Sequence, residues 1–145
     1  LQGFYFPYHD KLRSLIKQTE ASFKKVILLD CHSMPLSSVN LASKKDPVEV
    51  VLGDCFGRSC EHEIIVELKT LLTEVGFKVS INNPFSGGFI TKNYASPQNN
   101  IKVVQIEILR SLYSHEKQQI KNSEFIKIQK RLIDVIKEVI KRFAD

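Results

Sequence analysis

Apolar and polar positions along this chain switch between two periods, and the switches mark out its elements. Residues 8–23 place Leu12, Leu15, Ile16 and Phe23 at helical spacing, which predicts an amphipathic helix. Val26-Ile27-Leu28-Leu29 is a solid apolar run closing on Asp30. A short run with β-branched members fits a strand buried in an α/β sheet. Residues 36–47 carry Ser, Lys, Asn and Pro47 and read as a loop. Val48 to Leu52 predicts a second strand, ended by Gly53-Asp54. A helix capped by Ser59 is expected through Val75, with Ile64, Leu68, Leu71, Leu72 and Val75 as its stripe and Gly76 as its stop. Phe77 to Ile81 reads as the third strand, and Lys102 to Leu109 as the fourth. Residues 82–100 between them show no periodicity, and a long irregular loop in a compact domain is more often functional than idle. Over residues 116–145, Phe125, Leu132 and Val139 recur at a heptad spacing, as do Ile126, Ile133 and Ile140. That pattern predicts a long amphipathic helix.

Alternating helices and strands predict an α/β layered fold. The 145 residues form one expected domain, 1–145, and a chain of this length buries roughly 68–70% of its unfolded surface. With 43% hydrophobic and 26% charged residues the composition is that of a soluble globular protein. No apolar run approaches the ~18–20 residues of a membrane span, and the first residues lack a signal-peptide pattern. No membrane partner is expected, and cytoplasm is the default location. Three cysteines argue against a disulfide framework. About half of the net charge of +5 lies in the last thirty residues, where Lys and Arg interleave with Glu and Asp as on a solvated helix face. No aromatic residues alternate with a dense basic stripe, so no nucleic-acid partner is expected. The sequence opens Leu1-Gln2-Gly3 without an initiator Met. The expectation is that residues were removed or that the chain is a piece of something longer.

The candidate chemistry starts at Asp30-Cys31-His32-Ser33. Reactive groups on α/β sheets collect at the carboxyl ends of strands, and Asp30 and His32, two apart, share a face in extended geometry. His32 reads as a metal ligand, a base, or a polar strand terminus. The other histidines, His9, His62 and His115, are scattered, so spacing alone supports no complete metal site. Glu107 sits among Val103, Val104, Ile106 and Ile108. If buried it must be paired, protonated or ligating; alternation equally allows a solvent-facing Gln105/Glu107 edge. Cys31 and His32 point to opposite faces, a poor nucleophilic dyad, so Cys31 is expected to pack. Cys55, Cys60 and His62 lack the second cluster of a zinc knuckle and read as structural. Ser86-Gly87-Gly88 is too short for a phosphate fingerprint and reads as a turn permitting close backbone approach. Arg58 and Arg110 are carboxylate clamps or surface charges.

These blocks resemble the N-formylglutamate amidohydrolase (deformylase) family. The resemblance is carried by Tyr8-His9-x-x-Leu12, Leu29-Asp30-Cys31-His32-Ser33-Met34-Pro35 and Leu52-Gly53-Asp54 with Phe56-Gly57-x-Ser59-Cys60. It continues through Asn83-Pro84-Phe85-x-Gly87-Gly88-Phe89-Ile90-Thr91, Tyr94 and Gln105-Ile106-Glu107-Ile108-x-Arg110-x-Leu112-Tyr113. It implies a zinc-carboxypeptidase-like (phosphorylase/hydrolase-like) three-layer α/β/α fold with a mixed central sheet. The implied activity is zinc-dependent hydrolysis of an N-acyl amino acid, N-formyl-L-glutamate, to formate and L-glutamate. It further implies His32 as a zinc ligand and Glu107 as the general base that moves a proton from the hydrolytic water to the leaving amine. Gly87, Gly88, Arg58 and Arg110 would shape the pocket and hold substrate carboxylates, and Asp30 would orient a ligand.

The departures bear equally on function. Family members carry a region before the Tyr-His helix that supplies the other two metal ligands, and Leu1 to Pro7 offers no replacement, so the expected chain is the N-terminally truncated, C-terminal part of the domain. Cys55 stands where the family usually has Arg, and Tyr94-Ala95-Ser96-Pro97 replaces a Tyr-Gly-Arg-Pro segment. Two functions therefore compete: an amidohydrolase active with its N-terminal half present, or a non-catalytic remnant or binding module. On the first reading zinc is not retained by this chain alone. The expected macromolecular partner is the N-terminal half, or a second copy joined at an open sheet edge.

Overall fold

The computed structural model describes residues 2–39 and 47–143; of the loop expected over 36–47, residues 40–46 lie outside that range. Helix α1 (Tyr5–Phe23) ends where Lys24 turns left-handed and its amide closes on the Glu20 carbonyl. Strand β1 (Val26–Met34) follows directly. It runs four residues beyond Asp30 because it pairs in parallel along its whole length with β4 (Ile101–Leu109), Val26 opposite Ile101 and Met34 opposite Leu109. The Asp-Cys-His-Ser segment is thus within the strand, in the extended geometry expected for Asp30 and His32.

Strand β2 (Val50–Gly53), helix α2 (His62–Glu74) and strand β3 (Val79–Ile81) form a parallel crossover unit. β2 also pairs antiparallel with β4, so the sheet is mixed, in the order β1-β4-β2-β3. The two inner strands are the most buried: Val50, Val51, Leu52, Val103 and Val104 are sealed from solvent. Ser59 does not cap α2, which starts three residues later at His62; its hydroxyl instead donates to the Val103 carbonyl of β4. The expected irregular stretch 82–100 contains a short helix, α3 (Phe89–Tyr94), and a 3-10 turn. Too few residues precede the next break for apolar periodicity to show.

One sheet face packs Val26 and Val103 against Ile16 of α1 and Tyr94 of α3. The other packs Val50, Leu52, Val104 and Ile106 against α2 and α4 (Phe125–Phe143). The final helix starts at Phe125 rather than 116, since residues 114–121 turn back as a small hairpin, β5 (Ser114–His115) with β6 (Ile120–Lys121). Of its two heptad-spaced rows, Val139 of the first is buried while Ile126, Ile133 and Ile140 of the second are exposed. Among the described residues β1 has no partner on its outer edge. Beside that edge an apolar groove is lined by Phe23, Ile27, Leu29, Ile136, Ile140 and Phe143, among others. No helix of the described residues is long and apolar enough to cross a membrane.

Candidate active site

Parallel pairing of β1 with β4 sets His32 directly opposite Glu107, and Asp30 opposite Gln105. Side chains two apart on a strand share a face, so these four polar groups project together on the α1/α3 side of the sheet. Val103 and Leu109, their neighbours on the same face of β4, are core residues. The Gln105/Glu107 edge is therefore buried, not solvent-facing.

The four groups are held by one another. The His32 ring is half exposed; its Nε2 lies 3.1 Å from Asp30 Oδ1, and its Nδ1 lies 3.9 Å from Glu107 Oε1. In the tautomer that donates Nε2–H to Asp30, Nδ1 keeps its lone pair and faces Glu107. The second Asp30 oxygen, Oδ2, is buried and has no hydrogen-bond partner. Gln105 Nε2 donates to Glu107 Oε1 at 2.9 Å, and Gln105 Oε1 accepts from the Gly88 amide at 2.6 Å. Burial pushes the Glu107 carboxyl up, against the opposing pull of His32, the Gln105 amide and Arg110. A carboxylate raised by desolvation and facing an imidazole is poised to accept a proton.

The glycine turn reaches the site through a close crossing. Gly53, ending β2, packs against the backbone of Ser86 and Gly87, where an added Cβ would lie 2.7 Å from the Gly87 nitrogen. Cys55 N–H donates to the Ser86 carbonyl at 2.6 Å, and Gly87 takes a φ of 122°. The turn then presents the Gly88 amide to Gln105. Arg110, just past β4, donates to the Ser33 hydroxyl and carbonyl at 3.2–3.4 Å, next to His32. His32, Glu107 and Gly88 therefore converge on one site, and Arg110 lies near enough for its charge to act on Glu107. Arg58 does not join them: it lines a second cavity with Cys55, Ser59, Thr91, Lys92 and Ala95. Cys55 and Cys60 are buried free thiols, whereas Cys31 is exposed rather than packed. Sequence reading left out the bridging role of Gln105, whose signal is its place two residues before Glu107. It also left out Thr91 and Lys92 on the second cavity, which only the fold of α3 brings to Arg58.

The family model described as N-formylglutamate amidohydrolase matches residues 1–114. An N-formylglutamate deformylase of Pseudomonas putida is 32% identical over 117 residues, covering 80% of this chain and 43% of that protein. The corresponding Pseudomonas aeruginosa protein is 28% identical, with 44% of its length covered. The crystal structure of an N-formylglutamate amidohydrolase from Ralstonia eutropha superposes with a TM-score of 0.83 at 30% identity, covering 96% of this chain and 52% of that one. The chain spans about half the length of the relatives it matches. With His32, Glu107, the glycine turn and Arg110 all inside the matched range, this chain belongs to the N-formylglutamate amidohydrolase family.

Proposed function

We propose that this chain carries half of a zinc-dependent amidohydrolase site and that the complete domain cleaves N-formyl-L-glutamate to formate and L-glutamate. The observation that carries the reading is the register that sets His32 against Glu107, with Asp30 and Gln105 holding each in place. The donor set fits a metal in part. His32 offers one nitrogen while Asp30 fixes the ring through the other, the usual arrangement behind a ligating histidine. The unpartnered Asp30 Oδ2 is a buried oxygen that a nearby cation would satisfy. Among the described residues no group of three His, Cys, Asp or Glu is placed to hold a metal. The remaining ligands therefore come from the part of the domain that the relatives have beyond the matched half.

Zinc, when bound, would acidify a water and polarise the formyl carbonyl. The residues of this chain do the rest. Glu107 accepts the proton of the water that adds to the formyl carbon and returns it to the amine as the C–N bond breaks, so water is consumed and formate and the free amino acid leave. Gln105, fixed by the Gly88 amide, keeps the Glu107 carboxyl aimed toward His32. Arg110 holds the end of β1 through Ser33 and adds positive charge beside a substrate carboxylate.

The incomplete ligand set favours a second reading, a non-catalytic binding module. One experiment separates the two. The chain is joined to, or mixed with, the complementary region of a family member, and zinc content and formate release from N-formyl-L-glutamate are measured. Stoichiometric zinc with formate release supports the amidohydrolase; no zinc and intact substrate leave the binding module.

A further inference from the structure

Helix α4 has two flanks, and among the described residues α2 covers one of them. There Arg131 Nε donates to the Val75 carbonyl at the end of α2, and Arg142 pairs with Glu67 of α2. On the other flank the groove beside β1, of about 480 Å³, runs into a smaller apolar one of about 250 Å³ through Ile136, which lines both. Ile133 and Ile140 stand on this flank 43% and 63% exposed. The floor is Ile27 and Leu29 of β1 with Ile108 of β4, on the sheet face opposite His32. No lining residue of either groove is acidic, and Lys25 lines one wall. Along the other wall Lys130 and Lys137, three and four residues from Ile133, and Lys141 beside Ile140 are all exposed, against a single Asp134.

Strand β1 supplies an independent observation. Exposed edge strands are normally blunted by lysine, proline, a bulge or shortness. β1 runs nine residues with neither lysine nor proline and pairs in unbroken register with β4. At the far edge of the sheet, by contrast, β3 is three residues long. β1 is thus built as an interior strand. A strand added to it would stand about 4.8 Å away, next to the half-exposed His32 ring.

Charge and shape select the occupant. A symmetric pair of copies sets the same patch of both chains face to face, so lysine rim would meet lysine rim and two hollows would oppose each other. A lipid surface takes an apolar helix face laid flat on it, whereas this one is recessed between a helix and a strand. The chain covers 43% of the Pseudomonas putida protein and 52% of the Ralstonia eutropha one, which leaves about half of each relative to be seated. We propose that the groove between β1 and α4 is the seat of that other half of the domain, which adds a strand to the free edge of β1 and lays an amphipathic helix with acidic flanks along α4. The inference rests on the amidohydrolase reading for what the added strand brings to His32, the remaining metal ligands.

In the test, the full chain is co-expressed with the region of the Pseudomonas putida protein that lies outside the match. The purified product is followed by light scattering and amide hydrogen exchange. A one-to-one complex is expected, with exchange slowed along β1 and over residues 133–140 of α4. Ile140→Asp, at an exposed position that leaves the chain folded, should weaken the complex at least about tenfold. Val66→Asp, exposed on α2 away from the groove, should leave it unchanged. Lys137→Glu should slow association and reduce its dependence on salt. No complex, a complex indifferent to Ile140→Asp, or unchanged exchange along β1 would overturn the seat. So would a homodimer of the chain, or binding to phosphatidylglycerol vesicles, that Ile140→Asp abolishes. A complex with the expected properties that holds no zinc and leaves N-formyl-L-glutamate intact defeats the amidohydrolase reading and leaves the seat standing. Formate release by a complex indifferent to Ile140→Asp does the reverse.

Discussion

Glu107 carries two opposed requirements. Its carboxyl is nearly buried and pushed up chiefly by desolvation, so the folded state holds its proton to higher pH than the unfolded chain does. By linkage, the burden on stability is absent below the ordinary carboxylate range, grows as pH rises toward the folded value, and is complete above it. Glu107→Gln keeps an oxygen for the Gln105 amide and removes the buried charge. It should therefore be more stable than the natural chain at neutral pH, with the advantage shrinking as pH falls to about 4; thermal unfolding at several pH values measures this. An advantage that grows on acidification would contradict the assignment. Gly53 is a second sensitive position for a steric reason. The 2.7 Å approach of its missing Cβ to the Ser86–Gly87 backbone means that Gly53→Ala must shift the glycine turn. It should cost about 1–3 kcal/mol by denaturant titration.

At the scale of elements, the apolar pattern was enough to find α1, α2 and all four strands of the main sheet. Each buries a face long enough to leave a period in the sequence. The pattern missed α3 and placed the start of α4 nine residues early. A six-residue helix shows under two turns of period, and the β5–β6 hairpin is polar and exposed. The apolar run of β1 closes at Asp30 while the strand continues to Met34, because its length is dictated by pairing with β4, a long-range contact that local composition does not carry. In α4 the heptad rows told which positions repeat but not which row faces the sheet. Two isoleucines two residues apart make that distinction measurable. Ile128 is 4% exposed and Ile126 69% exposed. Ile128→Ala should cost about 2–5 kcal/mol and Ile126→Ala less than about 0.5 kcal/mol. Equal costs in urea titrations would mean that the helix is rotated.

For the molecule as a whole, the candidate site was legible where chemistry and spacing coincide, at His32, Glu107, the Gly87-Gly88 turn and Arg110. It was not legible where tertiary contact decides, at Gln105 as a bridge and at Thr91 and Lys92 beside Arg58. The mixed sheet with helices on both faces, the open β1 edge and the groove beside it belong to a chain that spans 43% to 52% of its relatives. On the proposed reading, that chain is the proton-handling half of a hydrolase. Formate release from N-formyl-L-glutamate by the zinc-loaded, completed domain, compared between the natural chain and Glu107→Gln, tests this most directly. Release by the natural chain is expected, with a loss of about 10²–10⁴-fold in the variant and zinc content unchanged. Equal release from both, or none from the natural chain with zinc bound, would contradict it.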